Sequence, residues 1–317
     1  MAQYIFTVDE ATQLLVNGEV VALPTETVYG LAGCLDNPLS IDQIYHLKNR
    51  PSNKALSVNI HASWDINKWC GDAPQYVKKL TSQFWPGPLT IIARANPDNI
   101  PKYLFSPNNT IAMRCPNHPL TIAVLAKLGK PLVAPSANPS GKISPTLASQ
   151  VMDYFQAEQV YILDGGACQF GIESTILAAI DENNYQILRC GAISVEKIRA
   201  CVGFMPSTIA SGIFDSKLPI PMYSFTNRDE LVSYIQKNSI ENYLCIASES
   251  TIRSYDFKNQ LLLPQDEHDY KRTFYTILSQ AQAGNYTQIF IEYPATSPEL
   301  QTQINRYAQP IILCKNR

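Results

Sequence analysis

No helix can run through residues 131–145, Pro-Leu-Val-Ala-Pro-Ser-Ala-Asn-Pro-Ser-Gly-Lys-Ile-Ser-Pro, because proline recurs there at 131, 135, 139 and 145. The apolar run at 132–134 reads as a short buried strand, and the segment beyond it is too rich in Pro, Ser, Asn and Gly for a ladder to continue. Such a break leaves backbone amides and hydroxyls unpaired at the mouth of a strand. Ser136, Asn138, Ser140 and Ser144 then have two possible uses. They cap an ordinary strand-to-loop exit, or they hydrogen-bond an anionic or polyhydroxylated ligand, since binding groups concentrate on loops held by a rigid sheet.

At 317 residues and 45% apolar content, the chain is long enough for two domains with ordinary cores. Its 25 basic and 27 acidic residues leave a formal charge of -2, which argues against a polyanion binder working through bulk charge. The eight cysteines, Cys34, Cys70, Cys115, Cys168, Cys190, Cys201, Cys245 and Cys314, form no C-x-x-C pair and no regular spacing. They read as buried thiols in a reducing compartment rather than zinc ligands or a disulfide framework. The N-terminus lacks a basic stretch followed by an apolar core, and no run approaches the ~20 apolar residues of a membrane span. A cytoplasmic protein without membrane attachment is expected.

Taken in order, Thr7 to Glu10 fits a capping box ahead of Ala11, Leu14, Leu15 and Val16, and Gly18 closes that helix. A strand at 19–23 ends at Pro24 in a threonine-rich turn, where Thr25 and Thr27 either satisfy backbone groups or meet a ligand. Ser40 to Gln43 reads as a second capping box, and Pro51 ends its helix. Lys48 and Arg50, with Lys54 just beyond, either complement the helix dipole or clamp phosphate. The spacing of Tyr76, Val77, Leu80 and Phe84 predicts a helix, with a strand at 89–93 after the turn Pro86-Gly87-Pro88. Alternation at 110–114 puts Thr110, Ala112 and Arg114 on one strand face; a charge beside a core needs a partner, so Arg114 meets either a protein carboxylate or a ligand carboxylate.

A helix from Pro145, a strand at 160–163, a strand pair around Thr175 and Gln186 and a helix at 194–201 complete the first region. Boundaries are expected at 1–204, with a linker at 205–226 and a small domain at 227–317. In the last region, helices near 229–236, 269–283 and 298–308 alternate with strands at 243–247, 288–292 and 311–314, as in a small parallel α/β sheet. Neither G-x-x-x-x-G-K-[ST] nor G-x-G-x-x-G occurs, so any nucleotide is held by another device.

Leu23-Pro-Thr-Glu-Thr-Val-Tyr-Gly-Leu31, Lys48-Asn-Arg50-Pro51, Trp85-Pro-Gly-Pro-Leu-Thr90, Thr110-Ile-Ala-Met-Arg114, Ala134-Pro-Ser-Ala-Asn138, Gly171-Ile-Glu-Ser-Thr-Ile176 and Leu188-Arg189-x-Gly191 together resemble the YrdC/Sua5 family, the threonylcarbamoyl-AMP synthases. The likeness covers nearly all of residues 1–200. It implies a YrdC-like twisted mixed sheet with helices, followed by the smaller Rossmann-like α/β domain of the long, Sua5-type members.

The implied reaction joins L-threonine, bicarbonate and ATP into threonylcarbamoyl-AMP and pyrophosphate. A separate tRNA threonylcarbamoyl transferase then modifies the adenosine next to the anticodon. By position, the resemblance makes Lys48, Arg50, Ser136 and Asn138 the catalytic K-x-R and S-x-N elements. It makes Arg50, Lys54, Thr110, Ser136, Ser144 and Arg189 the ATP contacts, and Thr27, Arg114, Ala134 and Ser174 the threonine contacts. Mg²⁺ is expected to arrive with ATP, with no dedicated protein cage for a metal.

Four positions depart from the family pattern. Ala55 replaces a frequent proline, Asn59 stands where archaeal members carry histidine, and Lys217-Leu218 stand where long members have His-Tyr in the linker, with Tyr223 as the nearest substitute. The rival reading is an RNA-binding module of the same fold without catalysis. The near-neutral charge and the lack of a basic stripe interleaved with aromatics weigh against it, and stable tRNA binding is not expected.

Overall fold

The structure is a computed structural model and describes residues 1–311 apart from 53, 72, 107 and 211–217. Lys217 of the expected linker and Cys314 lie outside the described residues. The chain divides into two compact units, residues 1–140 with 144–210, and 211–317 with 141–143.

In the first unit, β1 (Gln3–Ile5), α1 (Val8–Val16), β2 (Val21–Leu23), β3 (Gly30–Cys34), α2 (Pro38–Leu47), β4 (Ser57–Asn59), α3 (Gln75–Phe84), β5 (Leu89–Arg94) and β6 (Thr110–Arg114) come first. They are followed by α4 (Pro119–Leu128), β7 (Leu132–Val133), α5 (Ala148–Phe155), β8 (Tyr161–Leu163), β9 (Thr175–Asp181), β10 (Asn184–Arg189), α6 (Val195–Val202) and β11 (Thr208–Ile209). The strands form one mixed sheet in the order β1-β8-β2-β3-β7-β4-β6-β5-β9-β10-β11.

Local chemistry explains the helix ends. The Thr7 hydroxyl accepts from Glu10 N at 3.1 Å and the Glu10 carboxylate accepts from Phe6 N at 3.3 Å, which opens α1. The second helix starts earlier than its Ser40 box implies. Asn37 is the cap, accepting from Ser40 N at 3.2 Å, with Pro38 as the first helical residue. That start satisfies an orphan amide and uses a proline whose missing N–H costs nothing there, so it displaces the later one.

Strand β3 is buried throughout and packs closely under α2: a Cβ on Gly33 would lie 2.8 Å from Ser40 Oγ. The core contains the fully buried Tyr29, Phe155 and Tyr185, together with Leu31, Ile44, Val58, Ile91 and Ile187. Its burial is what holds the loops at the strand ends.

The second unit contains β12 (Met222–Phe225), α7 (Arg228–Lys237), β13 (Tyr243–Ala247), α8 (Glu249–Arg253), β14 (Gln260–Leu262), α9 (Glu267–Ala283), β15 (Gln288–Glu292), α10 (Pro298–Tyr307) and β16 (Ala308–Pro310). The sheet order is β14-β13-β15-β12-β16, and every pairing is parallel. Both ends of the segment expected as linker are structured, Thr208–Ile209 pairing with β10 and Met222–Phe225 lying inside the second sheet. Tyr223 packs its ring against Tyr234 and Phe290, so it serves the core of this unit. Ala308–Pro310 forms a strand whose register is set by pairing with β12, and residues 312–314 of the strand expected at 311–314 lie outside the described residues.

No helix among the described residues is long and apolar enough to cross a membrane. The seven described cysteines are free thiols, all buried except the half-buried Cys201. Burial pushes Cys70, Cys115, Cys168 and Cys245 up to about 12 and Cys34 up to about 11. A thiol kept protonated is a poor nucleophile. Alkylation of the native protein at pH 8, mapped by mass spectrometry, is therefore expected to leave these five cysteines unmodified while unfolded protein is labelled at all of them.

Candidate active site

The threonine-rich turn after β2 is built by Thr25. Its hydroxyl donates to Val28 O at 2.6 Å and accepts from the amides of Thr27 and Val28, each at 3.2 Å. This turn lies along the proline-rich loop that leaves β7. Ala137 N donates to Tyr29 O at 2.8 Å, Leu31 N to Pro135 O at 2.8 Å, and Tyr29 N to Pro145 O at 2.9 Å. Two segments over a hundred residues apart thus become neighbouring walls.

The turn presents Glu26 and Thr27, both buried, to the end of β6. One terminal nitrogen of Arg114 donates to Glu26 Oε1 at 2.8 Å and to Thr27 Oγ1 at 2.7 Å, while the other Glu26 oxygen accepts from Asn117 N at 2.8 Å. Arg114 is only 8% exposed, and its Nε is buried with no hydrogen-bond partner. Of the two partners left open for Arg114 by the sequence, the protein carboxylate is present, yet the guanidinium is only partly satisfied. Asn59 and Thr90 are its cross-strand partners on β4 and β5, so they share its face. The Thr90 hydroxyl lies 2.8 Å from the Ser174 hydroxyl.

Ser174 is held from the other side by Arg189, which donates through Nε to Ser174 O and through Nη2 to Ser174 Oγ, both at 2.9 Å. Arg189 Nη1 lies 3.4 Å from Glu173 Oε2, and the Ser144 hydroxyl donates to Glu173 Oε1 at 2.6 Å. Gly191 makes this packing possible, since a Cβ there would stand 2.4 Å from Glu173 O. Thr27, Arg114, Ser174, Arg189 and Ser144 are therefore tied into adjoining networks, while Ala134 shares a main-chain bond with Ser57 at 2.9 Å, at the start of β4.

The K-x-R segment meets the loop differently from what its position suggested. Lys48 is 2% exposed, and its ammonium donates to the carbonyls of Ser136 and Asn138 at 2.5 and 2.6 Å. A buried ammonium serves the carbonyls that surround it, so Lys48 ties down the loop that carries Ser136. Its own carbonyl accepts from Ser140 N at 2.7 Å. Arg50 is half-buried and donates to Lys54 O at 3.2 Å and Ala55 O at 2.8 Å; burial lowers its pKa. Lys54 is exposed, and the Thr110 hydroxyl lies 2.6 Å from that of Ser106 at the opposite end of β6 from Arg114.

Residues 13–191 match the sequence profile of the Sua5/YciO/YrdC family, which carries the description "Telomere recombination". The chain belongs to the Sua5/YciO/YrdC family. It is 40% identical over 206 residues to the threonylcarbamoyl-AMP synthase of Bacillus subtilis and 32% identical over 205 residues to that of Pyrococcus abyssi. These alignments cover 65% and 64% of this chain, and 59% and 60% of the relatives, so the chain spans about three fifths of their length. The structure of Pyrococcus abyssi Sua5 complexed with L-threonine superposes with a TM-score of 0.83 at 23% identity, covering 98% of this chain and 100% of that one. That likeness establishes the fold.

Within the family motifs, sequence reasoning assigned no role to Glu26, Thr90 or Glu173. The available signal was an acidic residue inside an otherwise uncharged buried stretch, which must have a partner somewhere. Which partner was not legible, since Glu26 and Arg114 are 88 positions apart.

Proposed function

We propose that the chain is an L-threonylcarbamoyladenylate synthase, a nucleotidyltransferase that makes threonylcarbamoyl-AMP and pyrophosphate from L-threonine, bicarbonate and ATP. The observation that carries this reading is the buried, partly satisfied Arg114 guanidinium, bonded to Thr27 and on the same sheet face as Thr90, whose hydroxyl meets that of Ser174. A cation fixed by one protein carboxylate, with an orphaned donor and hydroxyls beside it, suits the carboxylate and hydroxyl of a small polar amino acid. The relatives' names and the L-threonine bound by the Pyrococcus abyssi protein support that choice.

The amine of threonine adds to carbon dioxide and loses a proton, or displaces water from bicarbonate, to give a carbamate. A carbamate oxygen then attacks the α-phosphorus of ATP, and the bond to pyrophosphate breaks. Both reactants are anions, so the protein contributes charge neutralisation and positioning rather than a side-chain nucleophile. Arg50, Lys54, Arg189 and the hydroxyls of Ser136, Ser144 and Thr110 are the proposed nucleotide contacts, with Lys48 and Asn138 shaping the Ser136 loop and Ala134 flanking the threonine. Mg²⁺ carried by the phosphates supplies further neutralisation. Among the described residues, the one three-residue grouping of potential metal ligands is the exposed set Asp266, His268 and Asp269 at the start of α9, and the proposed reaction does not use it.

The product is passed to a tRNA-modifying transferase, and a cytoplasmic location is part of this reading. Incubation with ATP, Mg²⁺, bicarbonate and either L-threonine or L-serine tests it. Pyrophosphate release is expected with threonine and is expected to fall at least ~10²-fold for Arg50→Ala, the scale on which one charged transition-state contact registers. Tight, steeply salt-dependent tRNA binding without pyrophosphate release would favour the RNA-binding reading instead.

A further inference from the structure

We infer that Glu173 is a positioning residue that couples occupancy of the nucleotide subsite to occupancy of the amino-acid subsite, an inference that rests on both subsites being as proposed. Glu173 is 6% exposed and stands between them. One of its carboxylate oxygens accepts the Ser144 hydroxyl at 2.6 Å, and the other lies 3.4 Å from Arg189 Nη1. Arg189 in turn grips Ser174 twice, and the Ser174 hydroxyl touches Thr90. A continuous polar chain therefore runs from Ser144, on the nucleotide side, to Ser174 and Thr90, on the amino-acid side.

This chain has two arrangements because a serine hydroxyl carries one proton. In the structure that proton is committed to Glu173, and Ser144 is almost wholly buried. Phosphate oxygens only accept, so for Ser144 to serve a bound nucleotide its proton must turn from Glu173 to the ligand. The carboxylate then gives up one donor and is drawn towards Arg189, whose 3.4 Å separation exceeds the ~2.7–2.9 Å of a charge-assisted hydrogen bond. Closing that gap tightens the hold on a guanidinium that already grips Ser174 at two points. Nucleotide binding thereby prepares the amino-acid subsite, and linkage requires threonine to tighten nucleotide binding by the same factor.

Glutamine at 173 can still accept the Ser144 hydroxyl but cannot attract Arg189 by charge, so Glu173→Gln separates coupling from packing. The test is calorimetric titration of the full chain with α,β-methylene-ATP and Mg²⁺, with and without saturating L-threonine. In the wild type, threonine is expected to lower the analogue's Kd by about fivefold or more, within the usual range for coupled sites. In Glu173→Gln, assayed well below its Tm, the ratio is expected to fall below about twofold, with smaller changes in either Kd measured alone.

Ser144→Ala cuts the same chain at its other end. It should lower the ratio likewise, add little to Glu173→Gln, and decide the matter if the glutamine variant does not fold. A wild-type ratio of one, or a ratio preserved in the folded variants, overturns the inference. Failure of the wild type to bind either ligand overturns the proposed function itself, a result distinct from a loss of coupling.

Discussion

Arg114→Ala is expected to lose both activity and stability, with threonine-dependent pyrophosphate release falling by at least ~10²-fold and the KM for threonine rising. The first effect follows from the proposed role of Arg114 as the cation that holds the ligand carboxylate. The second comes from Glu26, a 2% exposed carboxylate that loses its ion pair and keeps only the Asn117 amide and its remaining surroundings. Breaking a buried pair from one side costs about 3–5 kcal/mol. In a unit of this size that lowers Tm by roughly 10 °C. Glu26→Ala combined with Arg114→Ala removes both charges, and thermal melts should recover part of the lost stability while activity stays absent. Recovery of activity in the double variant would show that Arg114 matters only as Glu26's partner.

Lys48→Met is the second large effect. The carbonyls of Ser136 and Asn138 lose a charged donor, although Ser136 O still accepts from Asn138 N at 3.0 Å. Each lost hydrogen bond to a charged donor costs about 1.5–3 kcal/mol. The expected signature differs from that of Arg50→Ala. Lys48→Met should reduce kcat by about 10²-fold and destabilise the protein, because a loop out of place loses aligned geometry. Arg50→Ala should reduce activity with little change in Tm. Lys48→Arg is not expected to rescue, since a planar fork cannot replace a compact ammonium between two carbonyls. Kinetics and thermal melts on the three variants distinguish these outcomes.

The strands at 243–247 and 288–292 were readable to the residue because each is centred on a compact run of buried apolar side chains bounded by polar residues. Strand β3 was not, since Gly30 and Gly33 give it low intrinsic strand preference and its pairing with β2 and β7 supplies what propensity does not. The short elements α8, β14 and β16 depend on neighbours rather than on any pattern of their own.

In the candidate site the motif segments come together, yet the direction of a side chain was hidden. Lys48 looked like a surface cation at a helix end, while in the fold it points into the Ser136–Asn138 loop. Glu26 and Glu173 were silent because a buried acid announces the need for a partner without naming it.

The most direct test is to supply ¹⁴C-bicarbonate with ATP, Mg²⁺ and L-threonine, and to separate the products by chromatography and mass. The account predicts that label enters a compound containing both AMP and threonine, that pyrophosphate is released in equal amount, and that neither occurs without threonine. Pyrophosphate released at the same rate without threonine or bicarbonate, with no label joined to AMP, would contradict it.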